Sequence, residues 1–149
     1  MIETLENTLA GLVARYLDTA ESVAAGVPEI PILVADGGQD RALPCLIVGG
    51  EVREATTARR AVIVTLHLHE RLGMAEGQTT RVVGAGWMRA CEARLRDDEA
   101  WYSWLADEAE EVRTGYRILH RMIVPAEPIE RDQAGDVVMR LALGFVCWV

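Results

Sequence analysis

His67 and His69 stand two residues apart in the run Ala61 to Glu70. On an extended strand, residues two apart project from the same face, about 7 Å apart along the backbone. Two imidazoles so placed chelate zinc or a non-haem metal when a third ligand arrives from elsewhere. His120, the remaining histidine of the chain, is the candidate third ligand. With it the alternative to a structural role is a small metal-binding domain or metal-dependent enzyme. No Asp or Cys lies at ligand spacing beside the pair. Two histidines on the polar side of a half-exposed strand are ordinary, so the expectation is no metal and no cofactor.

Other chemistry is poorly provided for. Ser22 and Ser103 are the only serines, and neither sits in a Gly-x-Ser-x-Gly elbow. Cys45, Cys91 and Cys147 are far apart and form no Cys-x-x-Cys pair, so they read as buried free thiols. Carboxylates are abundant, but only a cleft that shifts their pKa values would single out a catalytic pair. The run Asp107, Glu108, Glu110, Glu111 lacks the regular ligand positions and turn glycine of a calcium loop. Gly37-Gly38 lacks the spacing of a phosphate cradle and is not followed by a helix, which leaves a turn over residues 36–40. No catalytic residues are therefore expected.

The formal charge is −8, from 23 acidic and 15 basic residues, and every basic residue is Arg. That balance opposes a domain that grips nucleic acid through its phosphates. No apolar run reaches the ~18 residues of a membrane span. The N-terminus lacks a basic segment followed by an apolar core, so an intracellular protein is expected. The length of 149 residues suits one domain, residues 1–149.

The elements that must position these residues follow from periodicity. Ile2, Leu5, Leu9, Leu12, Val13, Tyr16 and Leu17 predict an amphipathic helix over the first twenty or so residues, stopped by Gly26. Ile30 to Ala35 reads as a strand that Pro31 places near an edge, and Leu43 to Val48 as a second. Residues 51–60, bearing Arg53, Arg59 and Arg60, read as a strand extension or hairpin loop. In the run Ala61 to Glu70, Val62, Val64, Leu66 and Leu68 face one way while Ile63, Thr65, His67 and His69 face the other. A loop over residues 71–78 leads to a helix with the stripe Val82, Val83, Trp87, Met88, Cys91 and Leu95. Gly84 and Gly86 within it predict close packing on a neighbouring backbone. Asp97-Asp98-Glu99 marks a new helix start, and Trp87, Trp101 and Trp104 read as core. Gly115 to Val124 is a strand ended by Pro125, Glu127 to Gly135 a charged connector with Glu130 and Arg131, and Asp136 to Val149 a last strand. The fold class is α+β: a mainly antiparallel sheet of about four to five strands, with an N-terminal helix and a central helix pair packed on one face.

In this order the elements resemble a known family. The opening helix, Ala42-Leu43-Pro44 leading into Cys45-Leu46-Ile47-Val48, Leu66-His67-Leu68 in an alternating strand, Gly86-Trp87-Met88 in a helix, Thr114-Gly115-Tyr116-Arg117 and a C-terminal strand are similar to the tail-terminator, or tail-completion, proteins of long-tailed bacteriophages. The resemblance implies a non-enzymatic virion subunit, made in the host cytoplasm. It implies a ring homo-oligomer, a hexamer, that caps the tail tube and joins it to the head connector. The tube protein and the connector protein would be its partners, DNA would pass through the lumen without specific binding, and no membrane would be involved. The acidic balance is compatible with a lumen that repels phosphates. Arg53, Arg59, Arg60, His67, His69, Glu130 and Arg131 are the candidate residues for contact with a neighbouring subunit or the tube.

Overall fold

A computed structural model describes residues 4–34, 45–56, 59–70, 81–108, 117–131 and 137–148. The alternating run Ala61 to Glu70 lies at the middle of the sheet. It forms β3 (Arg59–Glu70), flanked by β2 (Cys45–Ala55) on one side and β5 (Val137–Trp148) on the other. A three-residue β1 (Ile32–Val34) and the long β4 (Arg117–Arg131) complete a five-stranded sheet in the order β1-β2-β3-β5-β4. The four long strands run antiparallel, and only β1 lies parallel to its neighbour. This is the α+β architecture that the periodicity predicts.

Strand alternation divides the sheet into unequal faces, because residues opposite one another in register share a face. Leu46, Val48 and Val52 of β2 lie opposite Leu68, Leu66 and Val62 of β3, which in turn face Met139, Leu141 and Phe145 of β5. The described helices lie on this face. α1 (Leu5–Leu17) lies over β1 to β3, α2 (Ala20–Ala24) follows it, and α3 (Arg81–Arg96) runs beside β3, β5 and β4, with α4 (Asp98–Glu108) packed on α3. The core is their meeting surface: Leu9, Leu12, Val13, Tyr16 and Leu17 of α1, Met88, Cys91 and Leu95 of α3, and Trp101 of α4 close over Val64, Leu66, Leu143 and Phe145. Trp87 and Trp104 pack against it half-buried.

Local chemistry sets the helix ends. Thr4 caps α1 by accepting from the Asn7 N–H at 3.4 Å. The helix predicted over the first twenty or so residues breaks at Asp18, because the Thr19 hydroxyl accepts from the Ser22 N–H at 3.2 Å and starts α2 afresh. Gly26, at φ 104°, reverses the chain after α2 in a conformation that side chains oppose. Asp97 caps α4 by accepting from the Ala100 N–H at 3.1 Å, as the acidic triplet predicts.

Two further expectations are corrected. Pro125 does not end β4, which continues through Pro125 and Pro128 to Arg131, so Glu130 and Arg131 belong to a strand and not to a connector. An edge strand tolerates a missing N–H on its outer side, and register shifts at Val124/Glu127 and Pro128/Glu130 absorb the prolines. Gly86 does not pack against a neighbouring backbone either, since it is exposed and a Cβ there would meet nothing within 4 Å. The turn at 36–40, the loop at 71–78, Glu110, Glu111 and the Gly115-Tyr116 pair lie outside the described residues.

Candidate functional site

No described helix lies on the second face of the sheet, which holds the histidine pair. Ala61, Ile63, Thr65, His67 and His69 of β3 are half-buried there, beside Ala142, Gly144 and Val146 of β5. His67 lies opposite Ile47 of β2 on one side and Arg140 of β5 on the other. Glu127 of β4 occupies the register position across from Arg140, so Ile47, His67, Arg140 and Glu127 form one row over four strands. His69 lies opposite Cys45 and Val138, and Glu130 follows in that row.

The rings of His67 and His69 are 6.2 Å apart between centroids. Burial lowers the pKa of His67 below its ordinary value, and the charges of His69 and Arg140 lower it further. The imidazole is therefore biased toward its neutral form in the isolated chain. Arg140 is exposed and was not singled out from the sequence. Its only sequence signal is a lone charge in an otherwise apolar strand, and its pairing with His67 depends on a contact between chain positions 73 residues apart, from 140 − 67.

His120 does not join this cluster. Its register partner is Val146, whereas His67 pairs with Arg140. Six residues of β5 between those partners correspond to roughly 20 Å along the strand. The three histidines are thus not assembled as metal ligands, and no group of three or more His, Cys, Asp or Glu among the described residues is arranged to hold a metal ion.

The remaining candidate residues divide between the two ends of the sheet. Arg53, Arg59 and Arg60 sit toward the β2–β3 hairpin, about seven to ten residues of β3 away from His69, or roughly 23–33 Å. There Arg53 approaches Glu51 at 3.5 Å, both well exposed. Arg60 donates to the carbonyls of Thr56 and, at 3.0 Å, Arg59, so it serves to close the turn. Arg131 pairs in register with Val137, in the row of Glu70. The histidine cluster, Glu130 and Arg131 therefore share one end of the sheet, and the hairpin arginines the other.

Nucleophiles are placed for packing. The Ser22 hydroxyl is fully buried, donates to the Tyr16 carbonyl at 2.6 Å and accepts from Arg94 Nε at 2.9 Å. Burial pushes the Cys91 thiol up to about 12 and the Cys147 thiol up to about 11, which leaves both protonated and unreactive at neutral pH. A groove of about 400 Å³ runs between α1 and β1, lined by Asn7, Thr8, Arg15, Asp18, Ile32 and Val34. It brings no acid–base pair against a buried nucleophile. No described helix is long and apolar enough to cross a membrane. Compared with known proteins, the chain matches no protein-family model and no curated sequence.

Proposed function

We propose that the chain is a structural subunit of the tail-terminator type found in long-tailed phages, forming a homo-oligomeric ring, a hexamer, at the head-proximal end of the tail tube. In this reading it is not an enzyme. Its partners are other copies of itself, the tube protein and the head connector, and DNA passes through the lumen unbound. Its location is the virion, after synthesis in the host cytoplasm.

The observation that carries the reading is the one-sided layering of the sheet. Described helices bury one face, while the other presents Ile63, Thr65, Ala142, Gly144 and Val146, with His67, His69 and Arg140 toward one end and Glu51 opposite Ile63. A face of small and apolar residues with few charges is suited to contact with protein rather than to small-molecule chemistry. The order of elements supports the tail-terminator type, and the charge of −8 is compatible with a lumen that DNA does not adhere to.

Solution mass measurement together with negative-stain imaging of the protein mixed with purified tail tubes tests the proposal. Rings and capped tubes are the expected result. A protein that stays monomeric at high concentration and leaves tube ends bare would overturn it.

A further inference from the structure

The sheet has two edges, and they are built differently. β4 forms one, with Pro125, Pro128 and the register shifts beside them. Prolines and irregular register blunt an edge against pairing with another chain. β1 forms the other, and its Ile32-Leu33-Val34 holds neither a proline nor a charge. Leu33 and Val34 are 39% and 38% exposed, and with Val52 of β2 and Tyr102 of α4 they are the exposed large hydrophobic residues among those described.

Hydrogen bonding within the sheet fixes which groups of β1 remain for a neighbour. The Leu46 N–H donates to the Pro31 carbonyl at 2.9 Å, and Ile32 lies in register with Leu46. In a parallel ladder of that register Pro31 and Leu33 turn their backbone groups toward β2, while Ile32 and Val34 turn theirs outward. The Ile32 and Val34 side chains line the groove beside α1, and Leu33 belongs to the opposite face.

We infer that β1 is a self-pairing edge, which receives β1 of a second copy, antiparallel, about a two-fold axis at Leu33. In this register Ile32 of each copy exchanges its outward hydrogen bonds with Val34 of the other, so every donor meets an acceptor. Two β-branched residues lie opposite one another on the groove side, and the two Leu33 side chains form a close, non-hydrogen-bonded pair on the other. The strand reads alike in both directions, which is the condition for an isologous contact and makes a second copy the occupant. α1 lies chiefly over β2. The strand order β2-β1-β1-β2 sets the two β2 strands roughly 14 Å apart, little more than the ~10–12 Å diameter of a helix. The groove flanks of the two α1 helices therefore meet and enlarge the contact, and the charges among the groove-lining residues, Arg15 and Asp18, are of opposite sign.

The contact goes beyond the ring reading. Copies around one ring share an orientation while a two-fold contact reverses it, so β1 pairs free subunits or whole rings and not neighbours within a ring.

Cysteine cross-linking on the full chain tests the inference. A non-hydrogen-bonded antiparallel pair holds its Cα atoms about 4.5 Å apart, within disulfide reach, and the native Cys45, Cys91 and Cys147 are buried. Under mild oxidation Leu33→Cys is expected to form a covalent dimer at least about tenfold faster than Tyr102→Cys, whose site on α4 is equally exposed. Val34→Pro removes an outward donor and spares the bonds to β2. In the Leu33→Cys background it is expected to cut the dimer yield at least about tenfold, with circular dichroism melts showing that the protein is folded. Equal rates for Leu33→Cys and Tyr102→Cys, or an unchanged yield in folded Val34→Pro, would show that β1 does not pair. A Leu33→Cys thiol closed to a soluble maleimide would overturn the inference as well, because the chain's own residues would then cover this edge. None of these results bears on the ring reading, which the tail-tube experiment decides separately.

Discussion

Gly50 of β2 lies directly beneath the backbone of Glu6 in α1. A Cβ at this position would come within 2.8 Å of the Glu6 carbonyl carbon and 3.0 Å of the Glu6 Cβ. The first turn of α1 therefore rests on the sheet at a point where only hydrogen fits, which brings Leu5 and Leu9 into the core. Because the obstacle is backbone, relief requires α1 to move. Gly50→Ala is expected to cost about 1–3 kcal/mol, and Gly50→Val more. Urea denaturation measures the loss, and a variant as stable as the wild type would show that α1 does not approach β2 here.

Glycines in and beside helices make an opposite pair of predictions. Gly86 is exposed within α3 with open space around its Cα, so Gly86→Ala is expected to stabilise the protein by about 0.5–1 kcal/mol. Gly26, at φ 104°, has Ala90 Cβ 3.4 Å from where its own Cβ would lie. Gly26→Ala is expected to destabilise by about 1 kcal/mol or more. Thermal melts of the two variants should move in opposite directions.

Ser22, Arg94 and Tyr16 tie α2 and α3 to α1. Arg94 Nε donates to Ser22 Oγ at 2.9 Å, its guanidinium lies 4.6 Å from the centroid of the Tyr16 ring, and the Tyr16 hydroxyl donates to the Arg94 carbonyl at 3.1 Å. The same ring meets Trp101 edge-on at 5.0 Å, and Trp101 reaches Phe145 on β5 at 6.0 Å. Ser22→Ala leaves the part-buried Arg94 Nε–H without this acceptor and is expected to cost about 1–2 kcal/mol. Arg94→Lys should cost a similar amount, because an ammonium cannot both reach Ser22 and stack flat on Tyr16. Equilibrium unfolding of each variant checks the pair.

Histidine titration provides a pH prediction with a definite sign. The folded state lowers the pKa of His67 through burial, His69 and Arg140, so between that lowered value and 6.5 the unfolded chain binds more protons. Stability from this group is complete above about pH 6.5 and falls as the pH drops through the folded pKa. His67→Gln should flatten that part of the stability profile. Arg140→Ala should move the His67 titration, followed by NMR at low protein concentration, toward 6.5, and an unmoved titration would separate the two residues.

The sequence by itself determined the character of the elements. Alternation in Val62, Val64, Leu66 and Leu68 needs only neighbouring residues to declare a strand with one buried face, and the Asp97-Asp98-Glu99 triplet declares a helix start through the backbone N–H groups that follow it. These signals are local, and the structure reproduces them. Tertiary structure decided what depends on neighbours distant in the chain. Pro125 stays in β4 because β4 is an edge strand, a fact of sheet order that no local pattern holds. Gly50 is required by a helix more than forty positions away, while Gly86, of the same residue type, is not required at all. The histidine site changed membership for the same reason. Strand order places β5 between β3 and β4, and register then sets Arg140 beside His67 and leaves His120 six residues of β5 away. Alternation along one strand fixes which face a side chain takes, but only the pairing of strands fixes which side chains meet on it.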